Sequence, residues 1–182
     1  VGSEELLVKT FGQPSDTTFM GFLNAAQFLS YGNTLRTVRV VGTGGLNAAL
    51  NATTLVKNDT DFANQVFGSG SWVMAKYPGV TGSALGVTAV TADWVEDSAN
   101  NFVDWVITPT GTSTAIGLST LFNSAPDTSS YAAGVSGVND EVHVVVYDNT
   151  GEISGTQGTI LETYAYLSLA SDAKGADGTS NY

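Results

Sequence analysis

The chain has no cysteine, a single histidine and few basic residues. The absence of cysteine excludes disulfides, thiolate metal sites and cysteine nucleophiles. The lone His143 excludes a two-histidine metal site, and any catalytic triad would have to use it. No apolar run approaches the length of a transmembrane helix, and the N-terminal stretch VGSEELLVK has neither the basic start nor the apolar core of a signal peptide.

Positive charge is scarce: the chain has 6 Lys and Arg residues against 17 Asp and Glu residues, for a formal net charge of −11. Such a surface repels phosphate backbones and anionic lipid headgroups, so we expect neither nucleic acid nor a membrane as a partner. Among the 182 residues, 42% are hydrophobic and 21 are glycine, which is typical of a β-rich, loop-rich protein with one sizeable domain or two small ones.

The stretch LRTVRVVGTGGLNAALN, residues 35–51, resembles the start of a dinucleotide-binding domain. Gly42 and Gly44 fit the first two glycines of a G-x-G-x-x-G fingerprint, but Asn47 stands at the third position. The acidic residue expected about 20 positions later would be Asp59 or Asp61, in a polar stretch with no strand before it. The glycines therefore favour a turn that ends a strand, and no cofactor is expected.

The hydrophobic pattern predicts an α+β fold, with a short α/β opening followed by a β-rich, loop-rich part. An amphipathic helix is expected after Pro14, with Ser15 or Asp16 as its N-cap and a closing turn at residues 31–33. Its apolar residues recur at helical spacing: Phe19, Phe22, Leu23, Ala26 and Leu29. Residues 42–60 lose this periodicity and predict a long connection.

Several segments rich in β-branched and aromatic residues predict strands. They are Leu35–Val41, Ser71–Tyr77, Ala84–Val90, Phe102–Thr108, Glu141–Asp148 and the stretch GTILETYAYLSL that follows the turn DNTG. In the strongest of them Val142, Val144 and Val146 alternate with His143, Val145 and Tyr147, so the two sets lie on opposite faces.

Catalytic and metal-binding patterns are weak. His143 lies within a strand and no G-x-S-x-G elbow supplies a nucleophile, so a half-exposed strand position is expected in place of a catalytic base. Oxygen-rich strings around Asp148 and Asp177 miss the calcium-loop spacing, and turns capped by Asp or Asn side chains are the favoured interpretation. Trp72, Trp94 and Trp105 suit a core or an interface better than a sugar site.

The N-terminal region resembles contractile tail sheath proteins of T4-like bacteriophages of the myovirus type. An F-G-x-P turn precedes the helix, which ends in F-L-x-Y-G-N and leads into a strand of the type L-R-V-V-R-V. The signature residues are Phe11, Gly12, Pro14, Phe28, Leu29, Tyr31, Gly32, Asn33, Leu35, Arg36, Val38 and Arg39. AKYPGVTGSALGV and the segment NDEVHVVVYDNTGEISGTQGTILETYAYLSLASDAKGADGTSNY are similar to later sheath stretches, whereas Thr37 and Ser83 depart from the commonest residues.

This resemblance implies a structural subunit and no enzyme, with no cofactor or metal. Its expected partners are other sheath subunits in sixfold rings of a helical stack, the tail tube protein, the baseplate and the tail terminator. The expected location is the virion tail sheath, assembled in the host cytoplasm. Arg36 and Arg39 are expected subunit contacts, because arginine forks pair well with carboxylates across interfaces.

The implied organisation is a helix–strand part of a sheath domain at residues 1–45, a connection at 46–70, and a β-rich sheath domain at 71–182 that stops before a C-terminal core domain. Two alternatives stay open. A bacterial contractile injection system or tailocin would use the same kind of sheath, and a surface-binding, adhesin-like β-domain suits the acidic, Thr- and Gly-rich composition.

Overall fold

A computed structural model describes residues 1–38, 40–42, 44–50, 55–56, 59–64, 73–97, 102–175 and 177–182. Helices and antiparallel sheets are both present, so the predicted α+β class is confirmed. The helices are α1 (Glu4–Phe11), α2 (Phe19–Leu29), α3 (Asp59–Ala63), α4 (Ala92–Asp97) and α5 (Ser130–Gly134), with 3-10 turns at Val80–Ala84 and Ser119–Leu121. The strands are β1 (Leu85–Thr91), β2 (Val106–Ile107), β3 (Ile116–Gly117), β4 (Glu141–Asp148) and β5 (Ile160–Ser168).

The main sheet has three antiparallel strands in the order β1-β4-β5, with β4 in the centre. Its sequence, EVHVVVYD, is rich in β-branched residues that pack well on a pleated surface. The predicted strands at Glu141–Asp148 and in GTILETYAYLSL are confirmed, and the one predicted at Ala84–Val90 lies one residue later. A second, two-stranded sheet pairs β2 with β3.

The hydrophobic core lies between one face of the main sheet and the β2–β3 hairpin. Its buried members are Val90, Trp105, Ile107, Leu118 and Val145, and partly buried aromatic side chains pack around them. These five residues come from β1, β2, β4 and the segments beside the hairpin, so the core joins elements that are distant in sequence. Burying each such side chain contributes about 1.5–3 kcal/mol.

Gly86 makes a close approach in this sheet. It pairs with Tyr147 across β1 and β4, and a Cβ atom added at Gly86 would overlap the Tyr147 ring. We expect Gly86→Ala to lower the free energy of unfolding by about 1–3 kcal/mol, because the ring would have to move within a packed region. Urea unfolding measures this.

Gly117 in β3 is the matched control, since a Cβ there would meet nothing within 4 Å. Gly117→Ala should leave stability unchanged or raise it by up to about 1 kcal/mol. A Gly86→Ala variant as stable as Gly117→Ala would contradict the expected overlap.

Three predicted strands are wrong in whole or in part. Within Leu35–Val41 the described residues form no strand, and Arg39 lies outside the described residues. Within Ser71–Tyr77 the first two residues lie outside the described residues, and Met74 makes only an isolated bridge to Ala49. Phe102–Thr108 contributes only the two residues of β2. Apolar, β-branched residues are not enough, because a strand also needs a partner strand for its backbone groups.

The N-terminal helices also differ from the prediction. Helix α1 was not foreseen, although its sequence contains the usual signals. Ser3 caps it by accepting a hydrogen bond from the Leu6 amide at 3.1 Å. Glu4 and Glu5 lie in its first turn and Lys9 lies in its last turn, where such charges stabilise a helix. Helix α2 exists, but it begins at Phe19 and its predicted N-cap at Ser15 or Asp16 is wrong: Thr18 precedes the helix and makes no side-chain cap. The predicted domain limits at residues 45 and 70 stay predictions.

Candidate functional site

The signature residues of the N-terminal region fall at the ends of α1 and α2. Gly12 ends α1 with a φ of 81° and donates its N–H to the Val8 carbonyl at 2.8 Å, a conformation that glycine adopts without strain. Phe11 is half-buried and Pro14 is exposed on the connection to α2. The F-G-x-P motif therefore forms the turn between the two helices, which contact each other.

The second half of the signature closes α2. Amide N–H groups of Ser30, Tyr31 and Gly32 donate to carbonyls of the last helical turn. Gly32 lies beside the Phe28 ring, and a Cβ atom added at Gly32 would sit 3.6 Å from that ring, an ordinary van der Waals distance. Leu29 is half-buried, whereas Phe28, Tyr31 and Asn33 are exposed.

The segment after the signature turn leads past the N-terminus in an extended path. Val1 and Leu35 exchange two hydrogen bonds, from the N-terminal ammonium to the Leu35 carbonyl at 2.8 Å and from the Leu35 amide to the Val1 carbonyl at 3.0 Å. Arg36 is exposed and Val38 is 86% exposed. The role of Arg36 and Arg39 as subunit contacts stays a prediction, and Arg39 lies outside the described residues.

Helix α2 also exposes large apolar side chains. We call this surface the α2 patch, and it consists of Phe19, Met20, Leu23, Phe28 and, just after the helix, Tyr31. Leu23 is 47% exposed and α2 has no buried residue. Among the described elements, α2 contacts α1.

A buried asparagine follows the glycine-rich turn. Gly45 donates its amide to the Gly42 carbonyl at 3.0 Å, which closes a tight turn. Asn47, at the third position of the nucleotide fingerprint, is 1% exposed and donates to the carbonyls of Ala75 and Lys76 at 2.9 and 3.1 Å.

The Asn47 amide oxygen accepts the Val56 amide at 2.8 Å, so all its polar atoms are used within the fold. Asp59 and Asp61, the acidic candidates, belong to the short helix α3. The Asn47 side chain thus has a structural role, because it links its own segment to residue 56 and to residues 75–76. In the sequence, the signal that could have indicated this role was a polar residue, Asn47, directly after a glycine-rich stretch.

His143 is fully buried, so the expectation of a half-exposed residue is wrong. Its ring stacks on Phe122 with centroids 4.3 Å apart and meets Tyr166 edge-on at 4.6 Å. Its Nδ1 accepts the Tyr166 amide at 3.0 Å, which leaves Nε2 to donate to the Ser124 carbonyl, also at 3.0 Å. Both ring nitrogens are occupied, which fits a neutral ring with a structural role.

His143 holds an irregular part of β5. Tyr166 has a φ of 55°, unusual for a non-glycine residue, and lies where the β4–β5 register shifts between Val142 and Val144. Besides donating to His143, Tyr166 places its hydroxyl 3.0 Å from Ser124 Oγ and accepts the Asn181 side-chain amide at its carbonyl at 2.9 Å. These contacts offset the strain of the left-handed conformation.

Two buried carboxylates hold loops. Burial raises the pKa of Asp148, but hydrogen bonds from Ser154, Gly151 and Ile153 outweigh it and hold that pKa below its usual range. Burial likewise raises the pKa of Asp140, and donors on Ser168 and Ser129 bring it below the usual range. In both groups every oxygen accepts protein donors.

The remaining chemical candidates are scattered. Within the described residues, no three His, Asp or Glu side chains are placed to hold a metal ion. Trp105 is a core residue at 3% exposure, Trp94 is 45% exposed, and Trp72 lies outside the described residues. In the described part of the chain, no helix has the length and apolar character needed to span a membrane.

Comparison with known proteins points in one direction. No family model and no solved structure matches the chain. Over 161 residues, 87% of this chain, the sequence is 30% identical to a curated protein named tail sheath protein of Salmonella phage ViI. The chain spans 21% of that relative's length. Along most of its length the chain is therefore tail-sheath-like.

Proposed function

We propose that this chain is part of a structural subunit of a contractile phage tail sheath. The observation that carries the proposal is the 30% identity to a phage tail sheath protein over 161 residues. The similarity extends over 87% of the chain and so includes far more than a short motif. The F-G-x-P and F-L-x-Y-G-N signature around α2 supports the same assignment.

In this role the chain does mechanical work and catalyses no reaction. Sheath subunits would stack in sixfold rings around a tail tube, and a change in how subunits pack would shorten the sheath and drive the tube into the host envelope. The buried polar groups support a structural role, because the side chains of His143, Asp140 and Asp148 form hydrogen bonds with loops and strands of the fold itself.

The partners and location follow from that role. We propose contacts with other sheath subunits, with the tail tube protein, and with the baseplate and tail terminator at the two ends. The subunit would be assembled in the host cytoplasm and located in the virion tail. Arg36, which is exposed, remains a predicted contact between subunits.

Gold-labelled antibodies test the location directly. Antibodies raised against this chain should bind along the whole tail of virus particles that carry its gene, between the capsid and the baseplate. In particles with contracted tails, the label should be confined to the shortened sheath. Negative-stain electron microscopy gives the label positions, with antibodies pre-absorbed on the purified chain as the control.

Label restricted to the capsid or to fibre tips would contradict a sheath subunit. Fibre-tip label would favour the adhesin-like alternative, and label on headless tail particles would favour a tailocin or injection system.

A further inference from the structure

Formal charge is divided unevenly along the chain. Residues 77–182 contain twelve acidic residues and a single basic one, Lys174, so they carry the whole net charge of −11. Residues 1–76 are neutral, with five residues of each sign: Glu4, Glu5, Asp16, Asp59 and Asp61 against Lys9, Arg36, Arg39, Lys57 and Lys76. Two copies that meet through residues 77–182 would bring like charges together, whereas the neutral part imposes no such repulsion.

Helix α2, which lies in the neutral part, has apolar side chains among its exposed residues as well as among its half-buried ones. It contains no charged residue, and only Asn24 and Gln27 have polar side chains. Its half-buried residues share one side: Phe22, Ala25, Ala26 and Leu29. A helix that is hydrophobic all round is normally covered on both sides.

The α2 patch consists of the exposed apolar side chains of this helix and of the residue that follows its end. Phe19, Met20, Leu23 and Phe28 are 52, 66, 47 and 49% exposed, and Tyr31 is 89% exposed. Together these side chains expose on the order of 500 Å² of mainly apolar surface, the size of the largest apolar patch on a typical monomeric protein, and such patches are often functional. Such a patch marks a protein contact.

We propose that the α2 patch is the surface through which a second copy of this chain docks. The inference rests on the proposed function, because a sheath is built from many copies of one subunit. The charge division favours a second copy as the occupant: the patch lies in residues 1–76, whose sequence has equal numbers of cations and anions, so two copies that meet there bring no net like charge together. A strongly basic partner would instead be attracted to the acidic residues 77–182.

The contact between two isolated copies is weak and depends on salt. A stable interface covers about 800 Å² on each partner, more than the patch exposes. The charge of −11 on each copy adds long-range repulsion, which salt screens. Dimerisation should therefore tighten at least about tenfold between about 50 mM and about 500 mM NaCl.

Sedimentation velocity of the purified chain over a concentration series measures this equilibrium. Met20→Ser combined with Tyr31→Ser should weaken dimerisation at least about tenfold at high salt, because the two most exposed patch side chains are removed. The matched control is Val103→Ser with Val138→Ser, which removes two apolar side chains of 66 and 74% exposure from the acidic part. Circular dichroism should show both double variants folded, since all four positions are exposed.

The proposal is overturned if the wild-type chain stays monomeric at high salt, or if the patch variant and the control variant dimerise equally well. Neither result bears on where the antibody label falls on the virus tail, so the proposed function is tested separately.

A photo-crosslinking amino acid identifies the occupant in assembled tails. Placed at Tyr31, it should give a covalent product of two subunits, and placed at Tyr182, which is 69% exposed in the acidic part, it should give none. A product with another tail protein, or a link within a single subunit, would overturn docking of a second copy at this patch.

Discussion

Asp148→Ala is expected to lower the free energy of unfolding by about 3 kcal/mol. The Asp148 side chain is inaccessible to solvent and accepts four hydrogen bonds within the loop after β4. Its Oδ1 accepts the Gly151 amide at 2.7 Å, and its Oδ2 accepts the amides of Ile153 and Ser154 at 2.9 and 2.7 Å and the Ser154 hydroxyl at 2.9 Å. Alanine leaves the three amides without an acceptor, whereas the Ser154 hydroxyl can still donate to the Thr156 carbonyl at 2.9 Å.

The effect of this substitution should depend on pH. The pKa of Asp148 is lower in the folded chain than in the unfolded chain, where it is about 3.9. Its ionised form therefore stabilises the fold above about pH 4, and this contribution is lost as the pH falls through the lower folded pKa. The difference in unfolding free energy between wild type and Asp148→Ala should shrink when urea unfolding is repeated near pH 3.

Asp177→Ala is the matched control. Asp177 is exposed and accepts hydrogen bonds from the Thr179 amide at 3.0 Å and the Thr179 hydroxyl at 2.6 Å. Because water can replace the carboxylate at both donors, the unfolding free energy should change by about 0.5 kcal/mol or less at neutral pH. Equal losses of unfolding free energy in the two variants at neutral pH would show that burial does not increase the contribution of the Asp148 hydrogen bonds to stability.

Trp105→Ala is expected to lower the free energy of unfolding by about 3–5 kcal/mol, enough to unfold much of a domain of ordinary stability. Trp105 is 3% exposed and packs in the core with Val90 and Val145. Its ring stacks on Phe122 with centroids 5.8 Å apart, and its Nε1 donates to Thr88 Oγ1 at 3.2 Å. Alanine would leave a cavity and remove both contacts.

Trp105→Phe separates the two contributions, because it keeps most of the apolar volume and loses the Thr88 hydrogen bond. Trp105→Phe should lower the free energy of unfolding by less than about half as much as Trp105→Ala does. Trp94→Ala is the exposed control, since Trp94 is 45% exposed, and it should cost about 1 kcal/mol or less. Equal destabilisation by Trp105→Ala and Trp94→Ala in denaturant unfolding would contradict the position of Trp105 in the core.

The elements that the sequence predicted well are those whose signal is local. Strand β4 alternates β-branched residues along its length, and α2 repeats its apolar residues at helical spacing. The α1 signal is equally local but was missed: Ser3 precedes two acidic residues and an apolar run, a pattern that indicates the start of a helix.

Part of the candidate surface was also present in the sequence. The signature residues identified the turns at both ends of α2, but the helix was expected to be amphipathic, and its exposed apolar side chains were not foreseen. Which side of α2 contacts α1, and hence which residues form the α2 patch, was decided by the packing of the two helices.

The sequence by itself determined the α+β class, the central strand and the helix that carries the patch, because propensity and periodicity act between near neighbours. Tertiary structure decided which apolar segments became strands. Leu35–Val38 contains β-branched residues but pairs with no strand in the described part of the chain, whereas β1 pairs with β4 more than fifty residues away. Tertiary structure also decided that His143, Asn47 and Asp148 are buried. Donors and acceptors from other parts of the fold satisfy their polar atoms, and the residues beside them in the sequence do not predict those partners.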